Sequence, residues 1–396
     1  MALVCKAFGD IITFTRASTA TFTGSNGLIQ SATTNTPRFD YDPVTLAAKG
    51  LLIEEQRTNL LTYSEDFRNT AQAGSSRPWI ETNVTVTTGA GTAPDGTSNA
   101  NLLSVASTAT TTNYQDAVLS ATSCSFSVYI KPPAVIVDPT VFFRIRNNTT
   151  AINLITGIVT LADMTVSGSG TAISSVGNGW YRLTLTATTG ITSGDTIRIY
   201  SGFVSTSVTS GTSFYTWGAQ LEAGAFATSY IPTVASQVTR SADAASVNTL
   251  SPWYNATEGT IYAEVDRNQA AESTKYPYSY SLYSTSVNRI DGYQNRTFNE
   301  RVDVISASVN VATFTGTIVG ANAVLKTATA YQLNNMAASF NSSTPTTDTS
   351  AAVPSAASVL YIGTYSTTGF ELNGHLRRIT YYPRRLSNAE LQAITA

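Results

Sequence analysis

Charged residues are scarce in this sequence of 396 residues. Only 12% of the residues are charged, about half the usual fraction for a soluble domain, and the formal net charge is -2. Such a chain has no long-range field to concentrate nucleic acid or anionic lipid, and we find no run of Lys and Arg that would mark a phosphate-binding surface. The composition therefore argues against nucleic-acid binding.

Cysteine and histidine are scarce too. Cys5 and Cys124 are far apart and lie in no CxxC motif, so we expect two buried, unpaired thiols. His375 is the single histidine, which excludes a site with two histidine ligands, and two cysteines are too few for a cysteine-based zinc site. A Ser-His-Asp triad would require His375, but no nucleophile elbow accompanies it. We expect His375 to be a hydrogen-bonded surface residue.

Other common signals are missing as well. The chain has no phosphate loop and no dinucleotide-binding turn. It has no apolar run of about 18 residues that would span a bilayer and no signal-peptide pattern at its start, so we expect no membrane insertion. Asp138, Asn147 and Asn148 would bind calcium only if folding brought them together. We therefore predict no cofactor, and structural calcium has no support in the sequence.

Alternating apolar and polar residues run through most of the chain. Ser125–Ile130, Tyr181–Leu185 and Thr196–Tyr200 alternate in this way, which is typical of half-buried strands, and glycine-containing turns separate such stretches. One helix is predicted at the C-terminus, where Ser387 and Glu390 form a capping box. The pattern predicts an all-β protein with two β-sandwiches.

Three stretches near the N-terminus carry a resemblance. They are Thr13–Phe22 (TFTRASTATF), Pro37–Pro43 (PRFDYDP) and Gly50–Leu61 (GLLIEEQRTNLL). Together they resemble a leader found in phage and prophage tail or virion proteins. The resemblance implies a virion protein that is made in the host cytoplasm and binds other virion proteins.

The remainder resembles two lectin-like modules. Trp79–Thr233, which ends in FYTWGAQLEAG and SYIPT, looks like a carbohydrate-binding-module jelly roll. Val238–Asp243, Gly259–Asp266 and Leu372–Ser387 are similar to segments of a laminin-G or concanavalin-like sandwich. We therefore divide the chain into a leader or attachment segment (1–62), a jelly roll (63–235) and a second sandwich (236–396).

A glycosidase would need two carboxylates at a set separation. Three local pairs are candidates: Glu54 with Glu55, Glu264 with Asp266, and Glu300 with Asp303. Alternation places Glu264 and Asp266 on one strand face, about 7 Å apart, as a possible acid/base or metal-binding couple, although a solvated strand face is the favoured explanation. Glu54 and Glu55 lie beside Arg57, which indicates a salt-bridged structural corner. We therefore expect no enzyme activity.

Aromatic residues are the main indication of a ligand, and the ligand they suit is a sugar. Sugar rings stack on Trp and Tyr, while neighbouring polar side chains bind the hydroxyl groups of the sugar. Tyr276, Tyr278 and Tyr280 are spaced to share one strand face. The alternative is a core or a subunit interface. The candidate glycan-binding residues are Tyr276, Tyr278, Tyr280, Tyr283, Tyr293, Trp253 and Tyr254. Trp180 and Trp217 are expected in a core, and Trp79 fits either environment.

These observations favour a non-enzymatic bacteriophage virion protein. The first hypothesis is a tail fibre or receptor-binding protein that contacts host-surface glycan. The others are a head-fibre or capsid-decoration protein and a glycan depolymerase. The family resemblance implies a homo-oligomer, with a trimer by analogy, although no heptad stalk enforces it.

Overall fold

The structure of the protein is a computed structural model. The structure describes residues 8–69, 78–268, 276–297, 299–318, 320, 323–366 and 369–396. Cys5 lies outside these residues. Cys124 is buried and unpaired, as expected.

The leader contributes one short helix and six strands. They are α1 (Phe8–Ile11), β1 (Thr13–Thr15), β2 (Ala20–Thr23), β3 (Ile29–Ala32), β4 (Phe39–Tyr41), β5 (Ala48–Ile53) and β6 (Arg57–Asn59).

Twelve strands follow in the region predicted to be a jelly roll. They are β7 (Ile80–Thr82), β8 (Val84–Gly91), β9 (Ala100–Val105), β10 (Ala109–Val118), β11 (Cys124–Lys131), β12 (Thr140–Asn147), β13 (Ile152–Thr160), β14 (Thr165–Ser167), β15 (Thr171–Ser175), β16 (Tyr181–Ala187), β17 (Thr196–Val208) and β18 (Ser213–Ala223).

The last region holds the remaining strands and a C-terminal helix. They are β19 (Val238–Arg240), β20 (Ala244–Val247), β21 (Glu258–Arg267), β22 (Tyr278–Thr285), β23 (Asn288–Gln294), β24 (Asn299–Ser306), β25 (Val309–Ile318), β26 (Leu325–Gln332), β27 (Met336–Phe340), β28 (Thr346–Asp348), β29 (Val359–Ile362), β30 (Gly374–Tyr382) and α2 (Asn388–Ile394).

The jelly-roll region is a sandwich of two six-stranded sheets. Their strand orders are β14-β13-β12-β17-β10-β7 and β15-β16-β11-β18-β9-β8. The three alternating stretches lie in β11, β16 and β17, so those strand predictions are confirmed. Trp79, Trp180 and Trp217 are each 1% exposed, which confirms the core prediction for Trp180 and Trp217 and places Trp79 in the core as well.

The second sandwich consists of two seven-stranded sheets. Their orders are β1-β20-β29-β22-β23-β24-β25 and β28-β27-β26-β21-β30-β5-β4. A core that includes Ile261, Tyr280, Val302, Phe314 and Ile362 fills the space between them. The prediction of an all-β protein with two β-sandwiches is confirmed.

The leader is built into the second sandwich, although the sequence-based division sets it apart. Strand β1 pairs with β20 in one sheet, and β5 pairs with β30 in the other. Strand β6 pairs with β19 in a separate two-stranded ribbon. The reason is hydrogen bonding: β1 and β5 pair with β20 and β30, which would otherwise be unpaired edge strands of the second sandwich.

Buried ion pairs hold the leader in place. The Arg38 guanidinium contacts both Glu54 and Asp243, Arg16 contacts Asp243 at 3.1 Å, and Arg240 contacts Glu54 at 3.0 Å. All five side chains are at most 1% exposed. Burial opposes ionisation of Glu54, but Arg240, Arg38 and hydrogen bonds from Ser229 outweigh it and hold the pKa of Glu54 far below its usual value. We name these five residues the ionic hub.

The predicted corner at Glu54 and Glu55 is confirmed in part. Glu55 forms the expected salt bridge with Arg57, whereas Glu54 belongs to the ionic hub. The Ser229 hydroxyl and backbone N–H also donate to Glu54. Because Ser229 follows the last jelly-roll strand, the hub ties all three parts of the chain together.

The C-terminal helix begins as predicted. The Ser387 side chain accepts a hydrogen bond from the Glu390 backbone N–H, and the Glu390 carboxylate accepts one from the Ser387 N–H. Leu391 is buried against strands β26 and β27. The capping box therefore starts a helix that covers part of the outer face of one sheet.

Candidate functional site

The predicted tyrosines lie on the hairpin of β22 and β23, but they do not all share a face. Tyr278 pairs with Tyr293, whereas Tyr280 pairs with Gly292, so the strand bulges between Tyr278 and Tyr280. An extra residue in one strand reverses the alternation beyond it. Tyr280 therefore points into the core, is 0% exposed, and donates its hydroxyl to Thr329. The prediction of a common face is wrong for Tyr280, which cannot stack on a ligand.

The other rings of the hairpin lie on the outer face of the sheet, together with rings that the sequence analysis missed. Tyr278 stacks on Tyr293 with ring centroids 5.1 Å apart and planes 21° apart. Tyr365 lies 5.3 Å from Tyr278 and 5.8 Å from Phe370. We name this surface the tyrosine face. Its rings are Tyr276, Tyr278, Tyr283, Tyr293, Tyr361, Tyr365 and Phe370.

The rings differ in exposure. Tyr278 is 8% exposed because Tyr293, Tyr365 and Phe370 surround it. The other rings of the tyrosine face are half-buried. Tyr278 thus supports its neighbours, and a ligand would contact mainly Tyr293, Tyr365 and the rings around them.

Strand register places a straight row of side chains across the same face. Thr13, Ser246, Tyr361, Ser281, Asp291, Asp303 and Thr313 are successive partners on the seven strands. With about 4.8 Å between strands, the row is about 29 Å long. Its central members, Ser281, Asp291 and Asp303, are buried beside the rings. Thr13 and Thr313 at its ends are exposed, and Ser246 is half-buried. The face therefore combines apolar rings with exposed hydroxyl groups and with carboxylates that hold the rings and strands in place.

The two carboxylates in this row have different environments. Asp291 accepts hydrogen bonds from Ser281 and from Arg289, both at 2.6 Å. Burial outweighs these bonds and raises the pKa of Asp291 to about 6. Burial acts on Asp303 as well, but hydrogen bonds from Tyr293, Arg301 and Thr313 outweigh it and lower the pKa of Asp303.

Trp253 and Tyr254 lie away from this face. They pack at 5.1 Å and 5.9 Å against Tyr381, which lies on β30 of the opposite sheet. Both are half-buried against the core, and the Tyr254 hydroxyl accepts a hydrogen bond from the Ala357 backbone N–H. The structure therefore does not bring this predicted pair together with the tyrosine face.

The remaining carboxylate candidates are engaged in structural contacts. Asp266 accepts hydrogen bonds from His375 and Arg377. Glu300 forms a buried salt bridge with Arg267 at 3.1 Å. Glu264 accepts a hydrogen bond from Tyr262.

His375 is hydrogen-bonded, as expected, but it is not at the surface. The ring is 1% exposed and lies between Asp266 at 2.7 Å and Asp40 of the leader at 2.8 Å. Burial disfavours the charged ring, but the hydrogen bonds to the two carboxylates outweigh burial and raise the pKa of His375. The prediction of a surface histidine is wrong because a leader strand covers the ring.

No group of three or more acidic, His or Cys side chains within the described residues is arranged to hold a metal ion. Asn147 donates to Asp195, whereas Asp138 accepts from Thr140. Asp138 and Asn147 flank opposite ends of β12, so this strand holds them apart. Among the described helices, none has the length and apolar character needed to cross a membrane.

Comparisons with known proteins give fold-level likeness only. No protein-family model and no curated protein matches the chain. A Ruminococcus gnavus IT-sialidase CBM40 structure matches with 12% identity and a TM-score of 0.30, over 36% of this chain and 84% of that chain. Mouse laminin α1 domains LG4-5 match with 8% identity and a TM-score of 0.26, over 71% and 90%.

A Trypanosoma rangeli sialidase matches with 10% identity and a TM-score of 0.27, over 75% of this chain and 60% of that chain. Likeness at this level carries no argument about ligand or activity, so any functional statement depends on this chain's own residues.

Proposed function

We propose that this protein is a non-enzymatic bacteriophage virion protein, a tail fibre or receptor-binding component that recognises host-surface glycan through the tyrosine face. The observation that carries the proposal is the placement of half-buried rings beside a row of hydroxyl and carboxylate groups. Aromatic rings stack on the apolar faces of sugars, and fixed polar groups bind the hydroxyls.

The leader motifs support the virion assignment. Arg16, Arg38 and Glu54 come from the stretches that carry the resemblance to virion proteins, and all three belong to the ionic hub. The resemblance therefore rests on residues that organise the fold of this chain.

The binding experiment compares the wild type with Tyr293→Ala and Tyr365→Ala on arrays of host-derived glycans. Both rings are half-buried on the tyrosine face, so each variant should lose most of its binding. Tyr382→Ala is the matched control, because Tyr382 is a half-buried ring on the opposite sheet of the same sandwich. Equal binding by all four proteins would overturn the proposed role of the face.

The capsid-decoration hypothesis differs from the tail hypothesis in where the protein lies in the virion. Cryo-electron microscopy of the intact particle should place this protein at the tail. Density over the capsid would instead make the tyrosine face an interface with the shell.

The depolymerase hypothesis has one observation in its favour, because Asp291 and Asp303 are opposite each other on the candidate face. If the protein cleaved glycan, Asp291→Asn would abolish cleavage while binding survived. We expect no release of reducing ends by the wild type, since both carboxylates are paired with arginines.

A further inference from the structure

A groove begins at the edge of the tyrosine face and leads towards the leader. Its near part, of about 230 Å³, is lined by Thr13, Ser246, Tyr361 and Tyr365 among others. Tyr361 and Tyr365 also belong to the tyrosine face. The groove therefore starts where the rings end.

The near part is continuous with a larger one. A cavity of about 750 Å³ lies between the leader and the second sandwich, and Thr15, Ala244 and Glu371 line both parts. Asn35 and Gln56 of the leader lie on the wall of the larger part. We name the two parts together the leader groove.

The near part of the groove follows the row of cross-strand partners, and the larger part continues along the chain from Thr15 to Ala17. Thr13 on β1 and Ser246 on β20 are the first members of that row, and Asp291 and Asp303 lie near its other end. A ligand lying along the row would thus cross the strands, contact the rings, and continue into the leader groove. The row length of about 29 Å exceeds what one terminal sugar would occupy.

Charge along this path is internally balanced. Arg289 pairs with Asp291 at 2.6 Å, and Arg301 pairs with Asp303 at 2.8 Å. Beside the leader groove, Arg16 pairs with Asp243 and Glu55 pairs with Arg57. Paired charges neutralise each other's field. Arg296, which lies over the Tyr276 ring, and Glu371, which lines the groove and accepts a hydrogen bond from the Gly369 backbone N–H, carry opposite charges. The path therefore has no net charge and suits an uncharged ligand better than an anionic one.

We propose that the tyrosine face and the leader groove form one continuous site for an uncharged, linear glycan bound lengthwise across the strands. This inference rests on the proposed glycan binding and adds the ligand's charge and its shape. It also gives the leader a part in the site, through Thr13, Thr15, Asn35 and Gln56.

The first test uses immobilised neutral polysaccharides (dextran, mannan and galactan) and acidic ones (alginate and polygalacturonate), together with host-derived glycan, at low and at high salt. We expect binding to uncharged chains that is unchanged by salt, because screening weakens only net charge attraction. Preference for acidic chains, with binding that is lost at high salt, would overturn the inference and leave glycan binding intact.

The second test uses size-fractionated oligosaccharides of the polysaccharide that binds. The affinity should rise by about tenfold or more from the disaccharide to the octasaccharide, which is a measurable step in binding free energy. Equal affinities for the disaccharide and the octasaccharide would contradict the lengthwise arrangement.

The matched variants are Thr15→Arg and Thr87→Arg. Thr15 is an exposed residue on β1 at the groove, and Thr87 is an exposed strand residue of the jelly roll. Thr15→Arg should weaken octasaccharide binding by about tenfold and leave disaccharide binding unchanged, whereas Thr87→Arg should change neither. If Thr15→Arg binds the octasaccharide as tightly as the wild type does, the groove proposal is wrong. If the wild type binds no glycan at all, the proposed function itself is wrong.

Discussion

Asp291 and Asp303 are direct partners on neighbouring strands, and each carboxylate contacts an arginine on its own strand, two residues away. Like charges directly opposite each other destabilise a sheet. Asp303 has three hydrogen-bond donors from Tyr293, Arg301 and Thr313. Asp291 is the more deeply buried of the two, at 1% exposure against 7%, and consequently it is the one whose pKa rises.

Asp291 should make stability fall as pH rises through the weakly acidic range. Its pKa is raised to about 6 in the fold from an ordinary value of 3.8, so between these values the folded state binds more protons than the unfolded state. The free energy of unfolding should decline from about pH 4 to about pH 6, by at most about 3 kcal/mol. Asp291→Asn should flatten this slope in chemical denaturation at several pH values, and an identical slope in both proteins would contradict the assignment.

His375 should stabilise the fold most at acidic pH. Its pKa is raised above the ordinary value of 6.5, so its contribution to stability is full below pH 6.5 and is lost as pH rises through the folded pKa. Asp40, Asp266 and Lys49 are the charged groups that influence the ring. The difference in melting temperature between wild type and His375→Gln should therefore shrink towards alkaline pH, and a difference that grows instead would disprove the charged pairing.

Replacement of Tyr278 should affect stability as well as binding. The ring is 8% exposed and packs against Tyr293, Tyr365 and Phe370, so Tyr278→Ala should lower the free energy of unfolding by about 3 kcal/mol. Tyr365→Ala, at a more exposed ring, should cost about half as much. Thermal melts measure both, and an unchanged melt for Tyr278→Ala would show that its ring is not needed for packing.

The ionic hub should be the most sensitive part of the leader. Arg38→Met leaves Glu54 and Asp243 buried with one partner fewer, and breaking a buried pair costs about 3–5 kcal/mol. The control is Arg384→Met, which breaks an exposed pair with Glu390 and should leave the free energy of unfolding almost unchanged, because solvent screens such a pair. Denaturant titration compares the two, and equal losses would show that burial does not govern the hub.

The alternating stretches identified strands correctly because one face of each strand is buried. Ser125–Ile130 lies within β11, and Val128 and Ile130 are fully buried in the jelly-roll core. The start of the helix at Ser387 could also be predicted from the sequence, because a capping box involves residues only three positions apart. Both patterns involve residues that are close together in the chain, so they can be read directly from the sequence.

The tyrosine face was predicted in part. Tyr276, Tyr278, Tyr283 and Tyr293 lie there, but Tyr280 does not, because a bulge reverses the alternation after Tyr278. Tyr361, Tyr365 and Phe370 join the face from the segment around β29. No local spacing indicates that a segment some eighty residues away pairs with β22.

Composition and short-range periodicity are enough to predict an all-β protein with two sandwiches, little charge and a C-terminal helix, because these properties depend on residues that are near neighbours in the chain. Three features become visible only in the folded chain: the leader completes the second sandwich, His375 is buried between Asp40 and Asp266, and Asp291 is opposite Asp303. These features depend on strand register and on pairing between distant segments. Register and pairing are set by whether all the buried groups can be hydrogen-bonded and packed at the same time.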